Sequence, residues 1–209
     1  MNHPHVDALV RIMPPEHGAD EEVDWDAVEV QLGTRLPADY RAFMATYGAG
    51  GIENLVILAP LAVDFPQWSP GTIIDTTPTL RELWDMDGGV PGTGCGADAV
   101  LAWGTGCNAN ELGWLMTGSD PDQWPVVVWR RHGSPHWAQF ECGMAEFVRR
   151  LMLAEFDECP LSDLSLWGRI QPFVHWREQH RRFQAGLDPM TGEPDPYASM
   201  FDGLTDSPT

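Results

Sequence analysis

Along residues 24–47 the apolar positions recur with helical period, in two blocks. Trp25, Val28 and Leu32 fall at i, i+3, i+7, behind Asp24, an acid of the kind that caps a helix start. Gly33 follows where a left-handed residue ends a helix. Leu36-Pro37 restarts the chain, and Tyr40, Phe43, Met44 and Tyr47 form a second stripe that Gly48 closes. The run "NLVIL" (54–58) then reads as a strand. The glycine cluster 48–51 therefore lies between a helix and a strand. A phosphate loop needs the opposite order, strand, glycines, helix, so that backbone N–H groups and the positive helix end face the anion. The glycines are expected to cap and turn.

Further on, the period alternates between 3.6 and 2. "TPTLRELWDMDGG" (77–89) predicts a helix with Thr77 as cap, Pro78 at the first position, and Leu80, Leu83 and Trp84 on one side. Short strands are predicted at Val100–Trp103, Glu111–Met116, Val126–Arg130 and Trp137–Glu141, with "SDPDQWP" (119–125) as a hairpin loop. Met144–Phe156 predicts an amphipathic helix with Met144, Phe147, Val148, Leu151 and Met152 inward. Residues 164–183 read as one broken helix or two, interrupted at Gly168 and Pro172. The Pro-, Gly- and acid-rich stretch 187–209 reads as a tail, ordered only where Tyr197, Met200 or Phe201 meets a groove. The fold class this predicts is α+β, a mostly antiparallel twisted sheet with helices packed against it.

The same residues carry a resemblance. W25-x3-E29-x2-L32-G33-x2-L36-P37-x2-Y40-R41-x-F43-x3-Y47-G48-x-G50-x-I52 resembles the N-terminal signature of the SUKH superfamily. "LAWGTGCNANELGWL" (101–115), "WPVVVWRRHGSPHW" (124–137) and "MAEFVRRLM" (144–152) are similar to its actinobacterial members, although Phe147-Val148 stands where a Phe-Leu pair is usual. The resemblance covers roughly 23–156 and divides the chain into an N-terminal segment (1–22), a SUKH-like domain (23–156), a helical extension (157–186) and an acidic tail (187–209). The superfamily includes a yeast cell-wall synthesis regulator and many bacterial immunity proteins. What it implies here is a non-catalytic immunity protein that binds and neutralises a toxin. The alternative is an intracellular scaffold or regulatory module.

Charge adds a direction. The formal net charge is −19, from 31 acids and 12 arginines with no lysine. The imbalance is deepest in 61–128, with nine acids and one arginine, and is absent in 129–182, with seven acids and eight arginines. Such a surface repels nucleic acid and attracts a basic protein, such as a nuclease toxin, or else serves only solubility. The partner-binding residues expected are therefore loop acids, Asp85, Asp87, Asp120 and Asp122, with Asp98 near them and with Trp84 and Trp103 as aromatic anchors. Of the other tryptophans, Trp25, Trp114, Trp137 and Trp167 fall on core faces; Trp124 sits at an element edge, and Trp129 faces away from Val128.

Little else points to chemistry. His132 and His136 flank Gly-Ser-Pro, a turn rather than the helix a metal-binding HxxxH needs. His3 and His5 are expected in solvent, and His175 and His180 share no helical face well. Cys95, Cys107, Cys142 and Cys159 match no zinc spacing and are expected as free thiols, one disulfide remaining open. No nucleophile, base and orienter converge in the pattern, and no cofactor or metal is expected. The N-terminus lacks a basic stretch followed by an apolar one, and no apolar run is long enough for a bilayer, so a cytoplasmic location is expected.

Overall fold

The computed structural model of the chain describes residues 3–17, 22–61, 71–106 and 108–197. Among the described residues seven strands form one antiparallel sheet: β1 (Gly50–Ile52), β2 (Leu55–Ile57), β3 (Val100–Gly106), β4 (Asn110–Leu115), β5 (Val126–Arg130), β6 (Trp137–Phe140) and β7 (Phe173–His175). Their order is β6-β5-β4-β3-β2-β1-β7, a meander from β1 to β6 with β7 added beside β1. The six α-helices of the described residues are α1 (Pro4–Ile12), α2 (Trp25–Leu32), α3 (Ala38–Thr46), α4 (Ile73–Asp87), α5 (Met144–Met152) and α6 (Trp176–Gln184). The α+β class read from the sequence is the class observed.

The sheet is covered on both faces. On one, α4 lies close enough that a Cβ on Gly113 of β4 would meet Leu80 at 2.5 Å. Trp84 of α4 packs edge-on against Trp137 of β6, with centroids 4.7 Å apart. On the other face, Tyr40 of α3 meets Trp114 at 5.3 Å, and Phe147 of α5 meets Trp103 and Phe140 at 5.9 and 5.2 Å. The stripe on α3 is fully inward, with Tyr40, Phe43 and Met44 at zero exposure. Burying a side chain such as Phe43 contributes ~1.5–3 kcal/mol, and Tyr40 also donates its hydroxyl to Leu58 O at 2.6 Å.

The caps of α2 form as expected: Asp24 accepts from Ala27 N–H at 3.0 Å and Gly33 adopts a left-handed φ of 69°. Gly48 (φ 73°) ends α3, its N–H donating to Met44 O. The next two glycines do something else. Gly50 and Gly51 are strand residues, paired with β2 on one side and β7 on the other. A Cβ on Gly50 would lie 2.3 Å from Val174 O, so the third strand can approach only a glycine here.

Several expectations need correction. The N-terminal segment contains α1, with Pro4 at its start and Val6, Leu9 and Met13 in the main core. Tyr47 donates to Met13 O at 2.7 Å and ties that helix to α3. The boundary drawn at residue 23 therefore falls inside the packed unit. Helix α4 begins four residues before Thr77: Thr72 caps it, accepting from Asp75 N–H. Thr77 instead points at the sheet, where its Oγ1 accepts from Ala102 N–H at 3.1 Å, and Pro78 sits inside the helix. Helix α5 stops at Met152, short of Phe156, with its predicted inward residues buried. In 164–183 the only helix is α6; Phe173–His175 is strand. The chain also continues in order past Gly186: Leu187 bridges Pro194, and Asp188 accepts from Met190 and Thr191 N–H. Tyr197 is exposed, and Met200 and Phe201 lie outside the described residues.

Candidate functional site

The sequence-predicted anchors lie in the core. Trp84 is 3 % exposed, its indole N–H donating to Cys95 O at 3.1 Å, and Trp103 is fully buried beside a break in the β3–β4 register. Helical and sheet packing claim both rings, so neither can anchor a partner. Trp124 is buried too, its N–H taken by Gly118 O, whereas Trp129 is half-buried on the sheet face opposite Val128. The acids divide into two groups at opposite ends of β5. Asp85 and Asp87 lie exposed on the last turn of α4, where Asp87 accepts from Trp129 Nε1 at 2.7 Å and Trp129 stacks on His136. Asp120 and Asp122 occupy the β4–β5 loop, just before Val126, and Asp98 lies beside Arg81 on the α4 side.

Of these, Asp122 lines a built cleft of about 300 Å³. Its walls come from four places: His3 and His5 at the start of α1, Pro37 and Asp39 at the start of α3, Pro121–Pro125 of the β4–β5 loop, and Glu141–Gly143 with Glu146 where β6 enters α5. The reason for the convergence is helix capping. Three helices begin here without a side-chain cap of their own, α1 behind His3, α3 behind Pro37 and α5 behind Gly143, and the last two are capped from elsewhere in the chain. Asp122 supplies α3 from the loop, accepting from Ala38 N–H at 2.6 Å. Asp39 of α3 supplies α5, accepting from Ala145 N–H at 2.9 Å while also accepting from Tyr40 N–H at 2.7 Å. A carboxylate at a helix N-terminus satisfies orphan donors and meets the positive end of the dipole. Gly143 is glycine because a Cβ there would sit 2.6 Å from Asp39 Oδ2.

Burial nevertheless raises the Asp39 pKa, against the lowering by the Ala145 and Tyr40 N–H groups and His3; the charge of Asp122 adds to the rise. Burial also pushes the Cys142 thiol up to about 12, helped by Glu146, so it stays protonated and unreactive. His5 lies 3.6 Å from Glu146, and the His3 and His5 rings stand 5.6 Å apart. These two histidines line the cleft rather than project freely, which the sequence pattern did not reveal.

A second depression, a groove of about 380 Å³, opens next to the cleft and shares Glu141 with it. Gln139, Phe140 and Glu141 form one side, and Arg150, Glu155, Phe156, Asp157 and Glu158 the other. Its floor is apolar: Phe140 and Phe156 pack at 5.0 Å, and Arg150 lies over the Phe156 ring at 4.1 Å. Arg149 holds Glu155 through two bonds of 2.9 and 2.6 Å, and Arg130 approaches Glu158 at 3.6 Å. No ion pair neutralises Glu141 or Asp157 among the described residues.

His132 and His136 lie in the turn between β5 and β6, and no group of three or more His, Cys, Asp or Glu among the described residues could hold a metal ion. Cys95, Cys142 and Cys159 are free thiols, and Cys107 lies outside the described residues. Among the described residues no helix is long and apolar enough to cross a membrane. Compared with known proteins, the chain matches no family model, no curated protein and no solved structure. The likeness to the SUKH superfamily thus stands on the signature residues alone.

Proposed function

We propose that the chain is a cytoplasmic binding protein that captures a basic protein, in the manner of an immunity protein that occupies a nuclease toxin and blocks its active site. One observation carries this reading. The cleft and the groove meet at Glu141, which sets Asp122 and Glu146 of the one beside Asp157 and Glu158 of the other, with Phe140 and Phe156 in the groove and Arg150 as the cation among them. Carboxylates held on helix starts and loops around aromatic groups suit arginine and lysine side chains, and they compete with the polyanion that a basic nuclease accepts. The partner surface moves accordingly from Trp84, Asp85, Asp87 and Trp103 to this face.

The test is a panel of basic nuclease toxin domains, titrated with the chain by calorimetry and assayed for cleavage. Tight binding of one member, with cleavage blocked at equimolar chain, is the expected result. Binding without inhibition moves the protein to the class of interaction modules. Weak binding to every basic protein, lost at physiological salt, reduces the face to an ion exchanger.

A further inference from the structure

Strand β6 ends the sheet order on its side, and among the described residues it pairs with β5 alone. Arg130 N–H donates to His136 O at 2.8 Å, which makes Trp129 and Trp137 a non-hydrogen-bonded pair of the antiparallel ladder. Val127 and Gln139, two residues on, are then a second such pair. The backbone N–H and C=O of Trp137 and Gln139 therefore point away from β5. No described residue takes them up. The groove with the apolar floor and acidic wall runs along this same strand, since Gln139, Phe140 and Glu141 line it consecutively.

We propose that β6 is a strand-addition site, at which an extended, basic segment of the partner pairs with Trp137–Phe140 and lays alternate side chains into the groove. This rests on the reading of the chain as a binder of basic proteins and names how the partner attaches. Charge selects the occupant. Among the described residues no cation pairs with Glu141, which accepts from Gln139 Nε2, or with Asp157, and Asp122 and the Arg150-paired Glu146 continue the acidic wall into the cleft. The chain's own terminus, 198–209, carries two acids and no arginine and would be repelled. A second copy pairing edge to edge would set Glu141 and Asp157 against their own counterparts. An incoming strand with arginines on one face and β-branched residues on the other satisfies both the backbone groups and the carboxylates.

The probe is a blocked heptapeptide, Thr-Arg-Val-Arg-Val-Arg-Thr, set against the same peptide N-methylated at every internal residue, which keeps the charges and removes the pairing donors. Calorimetry should show the unmodified peptide binding at least tenfold more tightly. Amide exchange at Trp137 and Gln139 should slow tenfold or more on its addition. Gln139→Pro, which deletes an outward N–H and no ladder bond, should abolish the difference between the peptides; the exchange measurement on the unaltered chain stands even if that variant fails to fold. Equal binding of both peptides, or protection elsewhere than β6, overturns the strand-addition site while leaving the basic-partner reading intact. Binding of neither peptide also overturns it, and the nuclease panel decides the underlying reading separately. Sedimentation showing a dimer that Gln139→Pro dissolves would assign the edge to a second copy and overturn the proposal as well.

Discussion

Glu111 stands on β4 with Thr105 and Trp129 as its cross-strand neighbours, and its buried Oε2 has no hydrogen-bond partner among the described residues. Removal from water pushes its carboxyl from the usual 4.5 up to about 7. The folded chain then holds a proton that the unfolded chain gives up, so stability falls as pH rises from about 4.5 to about 7 and levels off above. Glu111→Gln should remove that slope and leave a denaturant midpoint higher than that of the parent at pH 8 and little changed at pH 4. A parent and variant that run parallel from pH 4 to 8 would place the titration elsewhere. Gly50 makes the complementary point about space. Gly50→Ala puts a methyl 2.3 Å from Val174 O and 2.8 Å from Phe173 Cζ, so β7 must move away. A loss of ~1–3 kcal/mol is expected, with faster amide exchange at 173–175. A midpoint shift within error would mean that β7 is not held where it lies.

At the scale of elements, legibility follows how much of the cause is local. The start of α2, the end of α3 and the inward stripe of α5 rest on caps and 3.6-residue spacing, and all three appear where the pattern puts them. What was missed is held by distant partners. β7 is three residues long and exists because Gly50 lets it close on β1, so its letters alone could not separate it from the helix after it. Thr77 and Pro78 look like a helix start, yet Thr72 caps earlier, and Thr77 serves the sheet instead. α1 was legible, since Pro4 opens it and Val6, Leu9 and Met13 share a face, although the resemblance begins only near residue 23 and leaves 1–22 as a segment with no element assigned. The candidate site was legible only in its acids. That Asp39 and Asp122 cap helices remote in sequence, and that Trp84 and Trp103 are core, are tertiary facts. The same scale yields a test on α6. Arg181 and Arg182 both bind Glu178, holding its carboxyl down at about 2, and Arg182 reaches on to Met190 O at 2.7 Å. Glu178 therefore contributes stability that is present above 4.5 and lost as pH falls towards about 2. Glu178→Gln should expose 187–194 to protease at neutral pH, the parent becoming equally sensitive only in acid. Equal cleavage rates at neutral pH would show that Arg182 holds the segment without its carboxylate.

For the molecule as a whole the question is whether −19 acts everywhere or at one place. A uniform coat changes association in proportion to net charge, because an approaching partner feels the sum. A binding face changes it in proportion to the charges it would touch, since screening cuts the rest off beyond a Debye length of ~8 Å at physiological salt. Two pairs of substitutions separate these with equal change in net charge. Glu141→Gln with Asp157→Asn neutralises the groove wall and leaves the capping carboxylates Asp39 and Asp122 in place. Asp85→Asn with Asp98→Asn neutralises exposed positions on the α4 side. Against a nuclease domain that the parent binds, the first pair should slow association ~3–10-fold and flatten its salt dependence, with dissociation little changed. The second should alter the rate by less than twofold. Surface plasmon resonance at two salt concentrations reads both quantities. Equal slowing by the two pairs would return the acidity to a global role, whereas slowing by the second alone would restore the end of α4 as the docking face. The expected asymmetry arises because Glu141 and Asp157 stand exposed at the rim of the groove the partner enters, so their loss acts on the encounter and leaves the packed contact in place.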